Sequence, residues 1–468
     1  MTSQQPAETS PRQWISNFHI VLPDVERKNI LLLPADTGWR LPFLAVEDRL
    51  WVGKSHQIIA HLRDQLGLHC DFTVLRYLHT ETNEEKHWDR TTLVLELHKM
   101  PPEPPLNGRW VERNAFAELP LTDSTIHRLL VEYLDDESAG SIPPRRAPWA
   151  TPGWFTAASA WMSERLAGLN RPPTGAVQQF RNLGISSLLR VPTQAGLVYL
   201  KATAKLPLFV NEAALMTRLA EKFPCQIPSP LAIEPEKGWM LLDDFGADLR
   251  TNNPTVEEVA SALRQFGALQ TKSAPLVGEL LGLGCLDRRL PVLAHQIDLL
   301  AEHPLSRRHA KPHDLAQLHS LAPQIKERCA ELASYHLPDT LVHGDLHMGN
   351  VARNGEGYLF YDWSDACITH PFLDMITPYF FQEEPGEKIQ LRDAYLSQWT
   401  DWEAIERLQE AWQLARPLAA LHQAVSYLHI LLGQEELIHE EMADGLCEFI
   451  THAVVSFTKA GANDDKTG

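Results

Sequence analysis

The chain has 468 residues, 44% of them apolar, and a formal net charge of −18. That length and apolar content suffice for about three domain-sized cores, and an acidic chain without a basic stripe argues against nucleic acid as a partner. No run reaches the ~20 apolar residues of a membrane span, the opening Met1-Thr2-Ser3-Gln4-Gln5-Pro6 lacks a secretory apolar core, and the six cysteines form no CxxC pair. The expectation is a reducing, cytoplasmic setting with no membrane partner.

From residue 15 to 137, apolar runs at 18–22, 30–34 and 39–44 predict strands and 55–66 a helix. Strands follow at 71–79, 92–99 and Trp110-Val111, with a last helix at 123–134. This order, with Gly38-Trp39-Arg40-Leu41-Pro42 ahead of the first helix, resembles a Nudix hydrolase domain. The helix His61-Leu62-Arg63-Asp64-Gln65-Leu66-Gly67-Leu68 stands where that family has its RExxEExG box. The resemblance implies glutamates on one helix face, binding metal ions that activate water. Ala60, His61 and Gln65 occupy three of the box positions here and leave only Asp64 as a carboxylate. The domain is therefore expected to be non-catalytic and to serve binding, allosteric control or contacts in a homodimer. A domain that keeps hydrolase activity beside whatever the rest of the chain does is the rival.

Ser138 to Gly153, rich in Pro, Gly and Ser, reads as a linker. The helix carrying Trp154, Phe155, Trp161 and Met162 is expected to act as a strap on the part that follows, before the break at Arg171-Pro172-Pro173. Residues 182–191 predict the first strand pair, around Gly184. Leu197 to Ala202 predicts a strand bearing one lysine, Lys201, and Asn211 to Leu219 a helix with Glu212 near its start. Trp239 to Asp243 is an apolar strand running into Asp244-Phe245-Gly246. Val256 to Gln270 is an amphipathic helix, and Leu281-Gly282-Leu283-Gly284 reads as a loop.

The densest chemistry lies further on. His343-Gly344-Asp345-Leu346-His347-Met348-Gly349-Asn350, then Tyr361-Asp362-Trp363, places an Asp, an Asn five residues on and a second Asp twelve residues later. Phosphoryl transfer uses such a set: one carboxylate for the proton of the acceptor hydroxyl, an amide and a carboxylate for Mg²⁺ on the nucleotide phosphates. The segment Tyr358 to Tyr361 reads as a short strand delivering Asp362. The first block resembles the HGDLHxxN signature of the aminoglycoside phosphotransferase and choline kinase superfamily, which shares the protein-kinase fold. Asp362-Trp363-Ser364-Asp365-Ala366 with His370-Pro371-Phe372-Leu373-Asp374 resembles its DWxDA…DPxxD segment, with His370 in place of the usual Asp.

The resemblance implies ATP and Mg²⁺ as cofactors, Asp345 as the base or hydroxyl-orienting group, and Asn350 and Asp362 as metal ligands. It assigns Lys201 to the α- and β-phosphates, with Glu212 as its partner. Backbone groups near 242 to 245, Asp243 among them, would border the adenine. Asp244-Phe245-Gly246 spells a kinase metal motif but lies upstream of the catalytic loop, so the metal carboxylate is Asp362. No GxGxxG covers the phosphates. Ser186 and Ser187 either contact phosphate through N–H or hydroxyl groups or are plain hairpin serines. His343 and His347, four apart, raise a zinc reading, but the chain has no His-Glu-x-x-His, and loop bracing by hydrogen bonds is the expectation.

After residue 366 the pattern is mostly helical. Asp401 to Gly433 is apolar at helical spacing, with Pro417 expected to kink or break it. Trp402, Trp412, His422, Tyr427 and His429 line an acceptor pocket or simply fill the core. Residues 331–468 hold 23 Asp and Glu against 7 Lys and Arg, so nearly all the net charge sits there. Glu383-Glu384, Glu435-Glu436 and Glu440-Glu441 focus a field that draws a cationic acceptor, or are ordinary solvated faces.

The fold class expected is α+β: a bilobal protein-kinase-like fold, with a small β-rich lobe and a larger helical lobe, preceded by an α/β Nudix-like domain. The domains are 15–137 (Nudix-like), 138–174 (linker and strap helix), 175–247 (N-lobe and hinge) and 248–460 (C-lobe with the acceptor site). The function expected is ATP-dependent phosphorylation of a hydroxyl on a small-molecule acceptor. The alternative is a regulatory pseudoenzyme that senses a nucleotide or metabolite.

Overall fold

The computed structural model describes residues 13–112, 114–115, 121, 123–140, 142–377 and 385–464. Glu383 and Glu384, one of the acidic clusters, lie outside these, as do the side chains of Glu440 and Glu441. The chain divides into two compact units, residues 1–195 and 196–468. It is a mixed α/β protein in which, among the described residues, no helix is long and apolar enough to cross a membrane. None of the six cysteines forms a disulfide.

The first unit contains β1 (Ile15–Val21), β2 (Asn29–Pro34), β3 (Trp39–Arg40), β4 (Phe43–Val46), α1 (Ser55–Asp64), β5 (Phe72–Asn83), β6 (Trp88–Leu97) and β7 (Arg109–Glu112). These are followed by α2 (Ser124–Ala139), α3 (Trp154–Gly168), β8 (Gln178–Asn182) and β9 (Ser186–Thr193). A four-stranded sheet runs β4-β1-β6-β5, with β1 parallel to β6 and antiparallel to β4, and β2 pairs with β3 and β7. Successive strand side chains point to opposite faces. Phe18 and Ile20 accordingly pack with Ile58 and Leu62 of α1, while Val21 packs with Leu129, Leu130 and Tyr133 of α2. The elements expected for residues 15–137 are present, but the strand expected at 39–44 is split at Leu41-Pro42 into β3, paired with β2, and β4, paired with β1, and α2 runs five residues past its expected end. Asp64 closes α1 and is exposed. In α3, Phe155 stacks on His98 and Trp154 meets Trp149, both within this unit. The β8–β9 hairpin is tied to the same unit, because the Gln179 amide bonds both the N–H and the C=O of Val74, at 2.9 and 2.8 Å.

The second unit opens with β10 (Gly196–Thr203), α4 (Glu212–Lys222), β11 (Ala232–Glu234) and β12 (Trp239–Asp243). Here β12 lies between β10 and β11 and is antiparallel to both. Asn211 caps α4 by accepting the N–H of Ala214, which places Glu212 in the first turn and turns Leu215, Met216 and Leu219 inward. Next come α5 (Val256–Ser273), started by a Thr255/Glu258 capping box, α6 (Val277–Gly282), β13 (Leu286–Asp287), α7 (Leu290–Glu302), α8 (Pro304–His309) and α9 (Pro312–Leu332). The expected loop at 281–284 therefore begins two residues late, because α6 continues through Gly282.

The remainder is β14 (Thr340–Val342), β15 (Val351–Asn354), β16 (Gly357–Phe360), β17 (Cys367–Thr369), α10 (Pro385–Leu396), α11 (Ile405–Gly433) and α12 (Glu440–Asp464). Pro417 does not break α11, which continues through it for four more turns. The missing N–H is offset by apolar burial on nearly every side of the helix, including Leu418, Leu421 and Val425. Phe372, Tyr395, Trp399 and Trp412 pack edge to face with ring centroids 5.4 to 6.0 Å apart around Phe372. Such contacts add about 0.5–1.5 kcal/mol each beyond area burial. They seat the short turn Pro371–Met375, which underlies the site described next.

Candidate active site

The β15–β16 hairpin gathers the motif residues. Its register sets Val351 opposite Phe360, so Asn350 and Tyr361 meet at its open end, where the Tyr361 N–H donates to the Asn350 carbonyl at 3.1 Å. Asn350 and Asp362 therefore leave neighbouring strands at the same place. The backbone of Asp362 has φ +70, a left-handed conformation costing on the order of 1–3 kcal/mol for a residue other than glycine. Gly344 has φ +82, and a Cβ built there would stand 2.3 Å from the Asp365 carbonyl oxygen, so only glycine fits beneath Asp365.

The loop 343–350 is braced from within. Asn350 Nδ2 donates to the Asp345 carbonyl at 2.9 Å and to Asp345 Oδ2 at 3.3 Å. His343 is buried against Trp363; its Nε2–H donates to the Tyr361 carbonyl at 2.9 Å, and its Nδ1 accepts the Asp345 N–H at 3.4 Å. Burial pulls the His343 imidazole down to about 4, so it is neutral. His347 Nδ1 accepts the Gly349 N–H at 2.9 Å, which leaves the proton on Nε2, 3.7 Å from Asp345 Oδ2. Both histidines thus act as the hydrogen-bonding braces expected of them.

Lys201, on β10, donates to Glu212 Oε1 at 2.7 Å and to Asp362 Oδ1 at 2.5 Å. Glu212 is held in turn by the Thr203 hydroxyl at 2.7 Å and the Trp363 N–H at 3.0 Å. Burial opposes the charge on Lys201, but the carboxylates of Asp362 and Glu212 outweigh it and hold its pKa above the usual lysine value. Burial, then the charges of Asp365 and Asp362, raises the Asp345 carboxyl well above the ordinary range. Lys201, Glu212 and Asp362 are therefore one hydrogen-bonded set and Asp345 with Asn350 a second, and the two meet where the Tyr361 N–H bonds the Asn350 carbonyl, one residue before Asp362. Asp243 ends β12 and is exposed. Ser186 and Ser187 start β9 in the other unit, where Ser187 is buried and donates to the Arg181 carbonyl at 3.3 Å.

Four further residues shape the loop, and motif reading gave them no role. Asp374 accepts the N–H groups of His343 and Gly344 at 2.7 and 2.8 Å and the Gln270 amide at 3.2 Å. Gln423, on α11, donates to the Gly344 carbonyl at 2.7 Å. Asp365 shares the Ser364 hydroxyl, and burial with the nearby Asp362 charge pushes its carboxyl up to about 7. Arg288 is buried behind it, donating to Ser426 Oγ at 2.7 Å and the His422 carbonyl at 2.8 Å. Asp374 stood in the quoted motif, whereas Gln423 and Arg288 reach the site only through the fold. Of the aromatic and histidine candidates for an acceptor pocket, Trp412 and His422 are core and Trp402 is 43% exposed. Tyr427 feels the Asp345 and Asp365 charges, which with burial keep its phenol protonated.

Chemically, the set offers a carboxylate beside an open face, a fixed cation and a hard-oxygen pair. The Asn350 amide spends its N–H on Asp345, which leaves its Oδ1 as an acceptor. An amide and one carboxylate suit Mg²⁺, which keeps several waters and is completed by substrate phosphates. Among the described residues no group of three or more His, Cys, Asp or Glu is arranged to hold a metal by itself.

No curated protein matches this chain. Solved structures that align with it include a choline kinase from Streptococcus pneumoniae at 12% identity, covering 64% of this chain and 98% of that one, with a TM-score of 0.47. A choline kinase from Cryptosporidium parvum Iowa II aligns at 16% identity over 67% of this chain and 94% of that one, with a TM-score of 0.45. A choline/ethanolamine kinase family protein from Mesorhizobium loti aligns at 16% identity over 64% and 98%, with a TM-score of 0.44. The family model described as the phosphotransferase enzyme family matches residues 197–410, the stretch that contains Lys201, Glu212, Asp345, Asn350 and Asp362. Residues 197–410 of this chain are therefore a phosphotransferase-family domain.

Proposed function

We propose that the protein transfers the γ-phosphate of ATP to a hydroxyl of a small-molecule acceptor. The observation that carries this reading is that two hydrogen-bonded sets, Lys201 with Glu212 and Asp362, and Asp345 with Asn350, come together at the open end of the β15–β16 hairpin. Asn350 and Asp362 would hold Mg²⁺, which when bound neutralises charge on the nucleotide phosphates. Lys201, aligned by Glu212, supplies a fixed cation for phosphate oxygens. Asp345 accepts and orients the acceptor hydroxyl, and Asn350 with His347 keeps its carboxylate in place. The raised Asp345 carboxyl suits a group that must take up a proton during transfer.

In this reading residues 175–247 act as the smaller lobe and hinge of a kinase-like fold, with Asp243 near the adenine, and residues 248–460 as the lobe that carries the acceptor site. Ser186 and Ser187 are proposed phosphate contacts. Residues 15–137 are read as a Nudix-like domain without hydrolase activity, because Asp64 is the only carboxylate among the box positions. The acidic excess of residues 331–468 favours an amine-bearing acceptor. The test is Mg²⁺-dependent ATP consumption across hydroxylated amines, sugars, amino acids and antibiotics. One acceptor should stimulate consumption in the wild type and not in Asp345→Asn; equal stimulation in both would refute the assignment.

A further inference from the structure

Residues 248–250 follow β12 and run back along the catalytic loop. Asp248 bridges Ala352 in antiparallel register, the Leu249 N–H donates to the Val351 carbonyl at 2.7 Å, and the Arg250 N–H donates to the Met348 carbonyl at 3.1 Å. Leu249 is fully buried and fixes this strap. Arg250, the next residue, is exposed, and among the described residues its guanidinium makes no hydrogen bond or ion pair.

Its side chain lies on Gly349. A Cβ built there would stand 2.5 Å from Arg250 Nη2, 2.8 Å from its Cζ and 2.8 Å from His347 Cε1. Glycine at 349 is thus the clearance that lets a guanidinium rest beside His347. The adjoining Nε2 of that imidazole is 3.7 Å from Asp345 Oδ2, and Gly349 directly precedes Asn350. A permanently charged fork of N–H donors therefore sits one side chain from Asp345 and one residue from Asn350, with its donors unspent.

We propose that Arg250 binds an anionic oxygen group brought to this site, a reading that rests on the phosphotransferase function proposed above. Two sources fit that chemistry: the γ-phosphate of the nucleotide, or an acid group on the acceptor. Transfer requires the γ-phosphorus to lie about 3–3.5 Å from the acceptor oxygen that Asp345 orients. Its peripheral oxygens then pass within reach of a side chain laid on Gly349, and a guanidinium there stabilises the charge that spreads over them.

The test uses the full-length protein and calorimetry with Mg²⁺ and either AMP-PNP, which carries a γ-phosphate, or ADP, which does not. Arg250→Gln should weaken AMP-PNP by about tenfold and leave ADP within about twofold, which assigns the γ-phosphate. If both nucleotides bind unchanged, inorganic phosphate is titrated into protein saturated with Mg²⁺ and AMP-PNP. Weakening of phosphate in Arg250→Gln then assigns the anion to the acceptor side. No difference from wild type in either titration overturns the proposal. Gly349→Ala, which displaces the guanidinium, should reproduce the loss and add nothing to Arg250→Gln; additive losses would also overturn it. A wild type that binds neither nucleotide overturns the phosphotransferase reading itself, an outcome distinct from a silent Arg250.

Discussion

The Asp374 carboxylate accepts the backbone N–H of His343 at 2.7 Å, thirty-one residues back along the chain, and that of Gly344 at 2.8 Å. This bond pair fixes the start of the loop 343–350 from beneath, so the backbone that carries Asp345 is held by a carboxylate buried in the core.

Asp374→Ala would strip both N–H groups of their acceptor inside a closed core. Each buried donor left unpaired costs about 1–3 kcal/mol, so denaturant unfolding should show a loss on the order of 2–5 kcal/mol. Asp374→Asn keeps one acceptor oxygen and should lose less. Equal stability of Asp374→Ala and wild type would show that the carboxylate does not hold the loop.

Lys201→Met would leave Glu212 and Asp362 without their shared cation. Breaking a buried ion pair by removing one partner costs about 3–5 kcal/mol, and Glu212 is buried where Asp362 is not. Unfolding should therefore show a loss of that order. Lys201→Met with Glu212→Gln should recover part of it, because the stranded charge is then gone. A double variant no more stable than the single one would contradict this account of the pair.

His370 carries a pH prediction. Its Nδ1 accepts the Phe372 N–H at 3.3 Å, its ring is buried, and burial pulls its pKa down to about 3. The folded value lies below the ordinary 6.5, so the unfolded chain binds more protons between those values. The stability contributed is fully present above pH 6.5 and is lost as pH falls toward 3. His370→Asn keeps an acceptor for the Phe372 N–H and removes the titration. Between pH 6.5 and 4 the wild type should lose about 3 kcal/mol relative to this variant. Parallel pH profiles for the two proteins would refute it.

How far the site was legible follows from where its residues sit. Asp345, Asn350 and Asp362 lie within one hairpin and its entry loop, so local spacing exposed them. Lys201 and Glu212 were readable because a strand with one lysine and a helix start with one glutamate are only eleven residues apart. Gln423 and Arg288 arrive from distant helix and loop positions, and nothing in their neighbourhoods marks a polar role. Pro417 does not end the helix, because burial around α11 outweighs one missing hydrogen bond. Trp412 and Trp402, alike in the helical pattern, separate into core and surface because α11 begins only at Ile405 and leaves Trp402 in the exposed turn before it.

The most direct test of the account is a paired measurement on Asp345→Asn: Mg²⁺-dependent ATP consumption with the acceptor that stimulates the wild type, and calorimetric binding of Mg²⁺ and AMP-PNP. The account predicts a loss of turnover of at least about a hundredfold, with nucleotide affinity within about twofold of wild type, because Lys201, Asn350 and Asp362 remain in place. Turnover near the wild-type rate would contradict it.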